Sequence, residues 1–393
     1  MIKRVVLLAD ESAQYVIAGL SQLDRLLRTL EECFAPALAE AKAPEVLVFW
    51  KSPNLLEQRS TRLDASHRIA GQPIDAAPGG ETLLLRTNVI FRRGALARLL
   101  HSSEPAASFA ILGSQDLPAD WEALSQRAAG RDASAWFLTG SADIPRVERE
   151  LIRTTGKPSD GLVSRLLNRP ISQLLSRWLV QTRVTPNQIS FLVLSVLAAS
   201  IWMLSRGSPQ GFVLGMLLFH LASVLDGCDG EVARAKFLES RLGAWLDTSV
   251  DLLGNLLVAL ALAVGLSRQP GLPAELRGNY LLEGILTAAG IAIGVLGIAR
   301  ARPAGRADFN DFGSSAIARF RLPSALVPLL QGVVHLLRRD SYALVFVLLA
   351  VIGRPEWILH GLAIAVALHF PVIAWSLWSN ARVGSRLRAP DRP

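Results

Sequence analysis

The chain has 393 residues, 51% of them hydrophobic and 19% charged, with a formal net charge of +8. Its mean hydropathy is positive and its pI is near 10, which argues against an ordinary soluble protein, and the length implies two or more domains. The basic balance comes with no aromatic-plus-basic pattern and no nucleic-acid motif, so no nucleic-acid partner is expected. Basic patches that flank apolar runs fit the positive-inside pattern of membrane proteins instead. Cys33 and Cys228 are far apart and are expected to be free thiols.

Residues 1–155 read as an α/β domain. The start MIKRVVLLAD is basic, then apolar, and runs into Asp10 and Glu11 without a small-residue cleavage site. It reads as a first strand rather than a signal peptide, which puts the domain in the cytoplasm. Apolar runs predict strands at 2–9, 45–50, 83–91, 108–113 and 135–139. Helical patterns fall between them at 16–38, 94–100 and 120–129. This alternation predicts a mostly parallel, covered sheet. Residues 52–81 show little periodicity and are expected to be loop.

Residues 156–186 form a connector. Over 161–182, Val163, Leu166, Leu167, Ile171, Leu174, Leu175 and Trp178 interleave with Arg165, Arg169 and Arg177. That is an amphipathic helix suited to a membrane surface; packing on the soluble domain is the alternative. A bilayer needs roughly 20 apolar residues per helix. Six runs qualify as spans: 188–205, 209–227, 242–266, 279–299, 340–353 and 357–379, the fifth being short. Residues 316–337 predict an interfacial or partly buried helix broken by Pro323. With the N-terminal domain inside, six spans put the C-terminus inside as well. Most arginines and lysines then fall on the inner side, and only Arg206, Arg268, Arg277 and Arg354 on the outer.

Asp226, Asp229, Asp247 and Asp251 lie within or beside the second and third spans. A carboxylate at membrane depth costs about 2.5–3.5 kcal/mol on insertion scales, so something must neutralise four of them. Asp226 and Asp229 are three apart and Asp247 and Asp251 four apart, so each pair shares a helical face. Two such faces make an oxygen-rich cage of the kind that hard divalent cations such as Mg²⁺ or Mn²⁺ bind, and two metals about 4 Å apart can clamp a phosphoryl displacement. Gly230 and Gly243 permit close backbone approach, Ala233 is small, and Arg234 can hold a phosphate or a carboxylate. Spacing alone leaves two other readings open: a salt-bridged loop using Arg234, Lys236 and Arg241, or an ion path lined by carboxylates.

The full pattern is Asp226-x2-Asp229-Gly230-x2-Ala233-Arg234-x8-Gly243-x3-Asp247-x3-Asp251. It resembles the CDP-alcohol phosphatidyltransferase signature at every fixed position. The resemblance implies an all-α, six-helix transmembrane domain at 187–393. Such a domain cleaves a CDP-linked donor, releases CMP and passes the substituted phosphate to an alcohol, with phospholipid or polar-lipid biosynthesis as the expected setting. It also implies Asp226, Asp229 and Asp247 as metal ligands. By the same resemblance Asp251 is the general base and also contacts the second metal. Two Mg²⁺ or Mn²⁺ ions are implied, and Gly230, Ala233, Arg234 and Gly243 line the CDP site. A homodimer is a further family expectation, and Thr185-Pro186-Asn187 resembles the family's entry into its first helix.

The run from Lys157 to Arg165, then Asn168-Arg169, resembles the junction in bifunctional inositol-phosphate cytidylyltransferase/di-myo-inositol phosphate phosphate synthases. The layout of the whole chain is similar to theirs. Their front domain is a Rossmann-like nucleotidyltransferase that makes the CDP-alcohol. Here the loop after the first strand is Ala9-Asp10-Glu11-Ser12-Ala13-Gln14, with no glycine and two acids. Asn88 stands where a metal-binding Asp is expected, with Asp143 as a remnant of a second acidic position. The front domain is therefore expected to be degenerate, its CDP-linked donor made elsewhere. The donor is either CDP-diacylglycerol or a soluble CDP-polyol such as CDP-inositol. A carboxylate-lined transporter is the reading from another class. Arg300, Arg302, Arg306, Arg338 and Arg339 are an inner basic group able to hold an acceptor phosphate or simply to set topology. His220, His335, His360 and His369 lack metal-ligand spacing and read as packing residues.

Overall fold

The computed structural model describes residues 2–35, 44–56, 65–72, 74, 80–101, 108–113, 117, 120–128, 135–156, 160–301 and 339–368. The chain divides into two compact units. The first comprises Met1–Thr155 with Arg177–Arg183 and Ala235–Phe237. Its sheet is built from β1 (Ile2–Ala9), β2 (Glu45–Trp50), β3 (Ser66–Ile69), β4 (Glu81–Arg86) and, after β5 (Val89–Phe91), β6 (Ala110–Leu112). The order is β3-β2-β1-β4-β6, with β6 antiparallel and the other pairings parallel, so the sheet is mixed. Central β1 is the continuous apolar run VVLLA because both faces are covered. Val5, Leu7 and Ala9 pack toward α1 (Gln22–Cys33). Val6 and Leu8 pack with Trp121 and Leu124 of α3 (Trp121–Arg127), which follows α2 (Ala95–His101).

Three sequence expectations for this unit need correction. The helix expected from residue 16 begins at Gln22, and residues 16–21 instead form a two-residue hairpin, Val16–Ile17 with Leu20–Ser21. Ala18 and Gly19 take positive φ there, which a helix cannot continue through, and Ser21 caps α1 by accepting from the Asp24 amide. The single strand expected at 83–91 is two strands. The chain leaves the main sheet at Thr87-Asn88, and β5 pairs antiparallel with β7 (Ala135–Phe137). The stretch expected to be loop contains β3, whose SHRI sequence lacks an apolar alternation because it is an edge strand. Residues 144–153, which carried no expectation, form α4 (Ile144–Arg153), started by Pro145 in its first turn. Within the same unit Arg25 is buried, and its guanidinium donates to the Ala235 and Ile17 carbonyls. Burial pulls its pKa down to about 10 against the opposing charge of Glu148.

The second unit comprises Gly156–Ser176, Val184–Arg234 and Leu238–Pro393. A π-type turn at Ser164–Asn168 leads into α5 (Arg169–Val180). Then come α6 (Pro186–Ser205), α7 (Pro209–Lys236), α8 (Arg241–Ser267) and α9 (Ala274–Ala301). Among the described residues, these last four are the helices long and apolar enough to cross a membrane. The expected fifth and sixth spans coincide with shorter apolar helices, α10 (Arg339–Val351) and α11 (Glu356–Leu368). Residues 369–379 of the sixth and all of 316–337 lie outside the described residues.

Small residues let these helices approach closely. A Cβ at Gly265 of α8 would overlap the Leu204 carbonyl of α6, and one at Gly284 of α9 would overlap the Ala263 methyl of α8. Phe212, Met216 and Phe219 of α7 join Val258, Leu262 and Leu266 of α8 and Phe346 of α10 in one core. Two polar contacts tie these helices: Ser200 Oγ donates to the Gly215 carbonyl, and Tyr342 Oη donates to Asn255 Oδ1 at 2.8 Å. His360 packs between Tyr280 and Trp357 and meets Glu283 at 2.7 Å. His335 and His369 lie outside the described residues.

Candidate active site

The meeting of the aspartates follows from helix length and a short turn. Asp229 lies seven residues before the end of α7 and Asp247 six residues after the start of α8. At 1.5 Å per residue each is about 10 Å from its helix end, so an antiparallel pair brings them level. The turn between is tight: the Leu238 amide reaches back to the Ala233 carbonyl at 2.9 Å, and Phe237 takes the left-handed conformation at φ 55°. That is a Schellman-type close, made without the usual glycine. Ser240 then caps α8 by accepting from the Gly243 amide.

Asp226, Asp229 and Asp247 each present a carboxylate oxygen within 4.8 Å of the others. Asp229 is buried, and Asp226 and Asp247 are half-buried. Asp251 stands one turn further along α8, about 6 Å by helical rise, and lies outside this trio. The donor set fits a hard divalent cation: carboxylate oxygens only, converging, with no nitrogen or sulfur ligand among them. Ser190 of α6 donates to Asp229 Oδ2 at 2.7 Å and orients it.

The other expected site residues divide. A Cβ at Gly230 would come within 3.0 Å of the Arg234 guanidinium, so this glycine makes room for Arg234 folded back along the same face. Ala233 is buried beside them. A Cβ at Gly243 would press on Ser240 Oγ at 3.1 Å, so that glycine serves the start of α8. Thr185 and Gln188 form a reciprocal capping box around Pro186, and Asn187 is exposed. Arg302, Arg306 and Arg338 lie outside the described residues, and Arg300 and Arg339 fall in end turns of α9 and α10.

Two polar groups escaped the sequence reading. Ser190 is one of two buried serines of α6, with Ser200, a legible signal once the carboxylates are known to lie level with it. Glu231 is a fifth carboxylate, fully buried. It accepts from Ser172 Oγ at 2.8 Å, Ser176 Oγ at 2.7 Å and Arg169 at 2.8 Å. Arg169 also forks onto both oxygens of Asp160. Burial pulls the Arg169 pKa down, but the hydrogen bonds and charges of Asp160 and Glu231 outweigh it and hold it above its ordinary value.

In the first unit, the loop after β1 is closed by its own side chains. Asp10 accepts from the Ser12 amide and hydroxyl and from Thr87 Oγ1. Asn88 donates to the Leu138 carbonyl at 3.3 Å. Asp143 accepts from the Thr139 amide and hydroxyl, which hold its carboxyl below the usual range with help from Arg146, against the small opposing effect of burial.

Residues 183–368 match the family model for CDP-alcohol phosphatidyltransferases. The chain is 40% identical over 126 residues to a protein of Thermococcus kodakarensis named "Bifunctional IPC transferase and DIPP synthase", covering 31% of this chain and 28% of that one. A protein of the same name from Rubrobacter xylanophilus is 31% identical over 219 residues, 52% of this chain and 49% of its own. A "Putative cardiolipin synthase" of Mycobacterium tuberculosis is 35% identical over 91 residues, 23% of this chain and 42% of its own. The chain thus spans half or less of the length of the curated relatives it matches. The eight-position motif and the converged aspartates fall inside residues 183–368, the stretch similar to CDP-alcohol phosphatidyltransferases, among helices long and apolar enough to cross a membrane.

Proposed function

We propose that the protein is a membrane CDP-alcohol phosphotransferase that passes a substituted phosphate from a CDP-linked donor to an alcohol and releases CMP. The observation that carries this reading is the convergence of Asp226, Asp229 and Asp247 beside Arg234. Those three aspartates would hold divalent metal, Mg²⁺ or Mn²⁺, and in a two-ion site Asp251 would contribute to the second. A bound divalent cation supplies positive charge against the donor pyrophosphate. Arg234 takes up further negative charge as CMP leaves. Gly230 and Ala233 leave room for the cytidine diphosphate, with Gly243 at the edge. Asp251, outside the converging trio, accepts the proton of the acceptor hydroxyl as its oxygen bonds to phosphorus.

The six-helix count, with α10 and α11 as the cores of the fifth and sixth spans, belongs to this reading. So do a cytoplasmic face for the site, an inner-membrane location, a homodimer, and the domain limits 1–155, 156–186 and 187–393. The connector is turned inside out relative to a soluble helix. Asn168, Ser172 and Ser176 are buried, while Leu166, Ile171, Leu174 and Trp178 are exposed. That supports an apolar face lying in the lipid interface. The names of the relatives support two donors: a soluble CDP-polyol, as in a di-inositol phosphate synthase, or a lipid-linked CDP-alcohol, as in a cardiolipin synthase. The degenerate first unit and the apolar surroundings favour a polar-lipid product.

The test is CMP release by the purified full chain across a panel of CDP-linked donors and alcohol acceptors, with and without Mg²⁺ or Mn²⁺. Metal-dependent CMP release with one pair supports the reading. Metal flux into vesicles with no CMP from any pair overturns it in favour of transport.

A further inference from the structure

Glu231 lies on the same helix as two of the proposed metal ligands but faces away from them. At 100° per residue it is about 140° around α7 from Asp226 and about 160° from Asp229. Gly227, one turn before it on that back face, would bring a Cβ within 3.2 Å of Ser172, so its hydrogen lets α5 and α7 touch. Across this contact Glu231 is gripped by three donors from α5: Arg169, Ser172 and Ser176. These are three, then four, residues apart, one stripe of a helix. Asp160 holds Arg169 from the other side. Glu231 is fully buried and the Arg169 and Asp160 side chains are 13% and 12% exposed.

A buried ion cluster is seldom the most stable way to join two helices, and apolar side chains of the same volume do as well or better. It does something apolar packing does not: directional donors admit one rotation and one register. Here they act on the turn that carries Asp226 and Asp229. We infer that Glu231 is a positioning residue, through which the connector helix α5 fixes the azimuth of α7 and so the spacing at which its aspartates meet Asp247. The inference rests on the proposed metal-dependent reading and deepens it, since it gives the connector a task in the chemistry besides joining two units.

The test is Mn²⁺ binding to the purified full chain, by calorimetry and by electron paramagnetic resonance of the bound ion, alongside CMP release. Glu231→Gln keeps the shape and removes the charge. Ser172→Ala with Ser176→Ala removes two donors and leaves good helix formers, so it should fold. Outer partners of metal ligands typically change affinity about 10–100-fold. The expected result is an Mn²⁺ Kd raised at least about tenfold in Glu231→Gln and about threefold in the serine pair, at unchanged stoichiometry and with an altered resonance spectrum. A merely structural role lowers the number of sites and leaves Kd and spectrum as in the wild type, and that result overturns the inference. If Glu231→Gln does not fold, the serine pair decides by the same two criteria. Wild-type protein that binds Mn²⁺ but releases no CMP sinks the transferase reading alone. Wild-type protein that binds no Mn²⁺ sinks both.

Discussion

Asp229 and Asp251 differ in surroundings although both belong to the same motif. Asp229 is buried and its Oδ2 accepts from Ser190 at 2.7 Å, while Asp251 lies outside the converging trio. Asp251→Asn is therefore expected to lower CMP release by 100-fold or more, about the usual contribution of a general base, while Mn²⁺ still binds. Equal rates in the variant would remove Asp251 from that role. Ser190→Ala leaves Asp229 without its orienting hydroxyl. Metal affinity should fall by about tenfold, the low end for such partners, with the thermal midpoint little changed; wild-type affinity would show that Ser190 only packs. The aspartates were legible in sequence because carboxylates in apolar runs stand out. Ser190 and Glu231 were not, because a hydroxyl or a lone Glu gains meaning only from what lies across from it.

At the scale of elements, α5 and the α8–α9 pair carry the predictions. The exposed apolar face of α5 should meet lipid. In a variant that keeps Trp178 as its single tryptophan, brominated lipid in the bilayer should quench the emission by about half or more. Unquenched emission would place that face elsewhere. Gly284→Val puts a branched side chain against Ala263. Overpacking costs about 1–3 kcal/mol, so the thermal midpoint should drop by several degrees, and an unchanged midpoint would mean that α9 can yield. Helices α6 to α9 were readable from their apolar length. Residues 16–38 were misread because the apolar spacing ran on across a hairpin that only Ala18 and Gly19 interrupt. The strand β3 was missed because an edge strand needs no alternation when its neighbour supplies the register.

For the molecule as a whole, the outstanding question is why a mixed-sheet unit accompanies a helical unit similar to CDP-alcohol phosphatidyltransferases. The loop after β1 is spanned by Asp10, Ser12 and Thr87, which spend their donors and acceptors on one another. A nucleotide phosphate would have to displace a carboxylate that already fills the loop. The full chain is therefore expected to release no pyrophosphate from CTP with any polyol phosphate, at least about 1,000-fold below a functional nucleotidyltransferase. Robust pyrophosphate release would restore that activity to the first unit. The sequence alone determined the membrane class, the α/β character of the first 155 residues and the spacing of the acidic motif, because apolar length and helical periodicity are local and repeat along the chain. Tertiary structure decided which three aspartates converge, that Gly243 serves a helix cap, and that the connector turns its polar stripe inward onto Glu231. The first and last depend on two segments meeting, across a short turn for Asp229 and Asp247 and across some sixty residues for Arg169 and Glu231. No pattern within one segment records its partner.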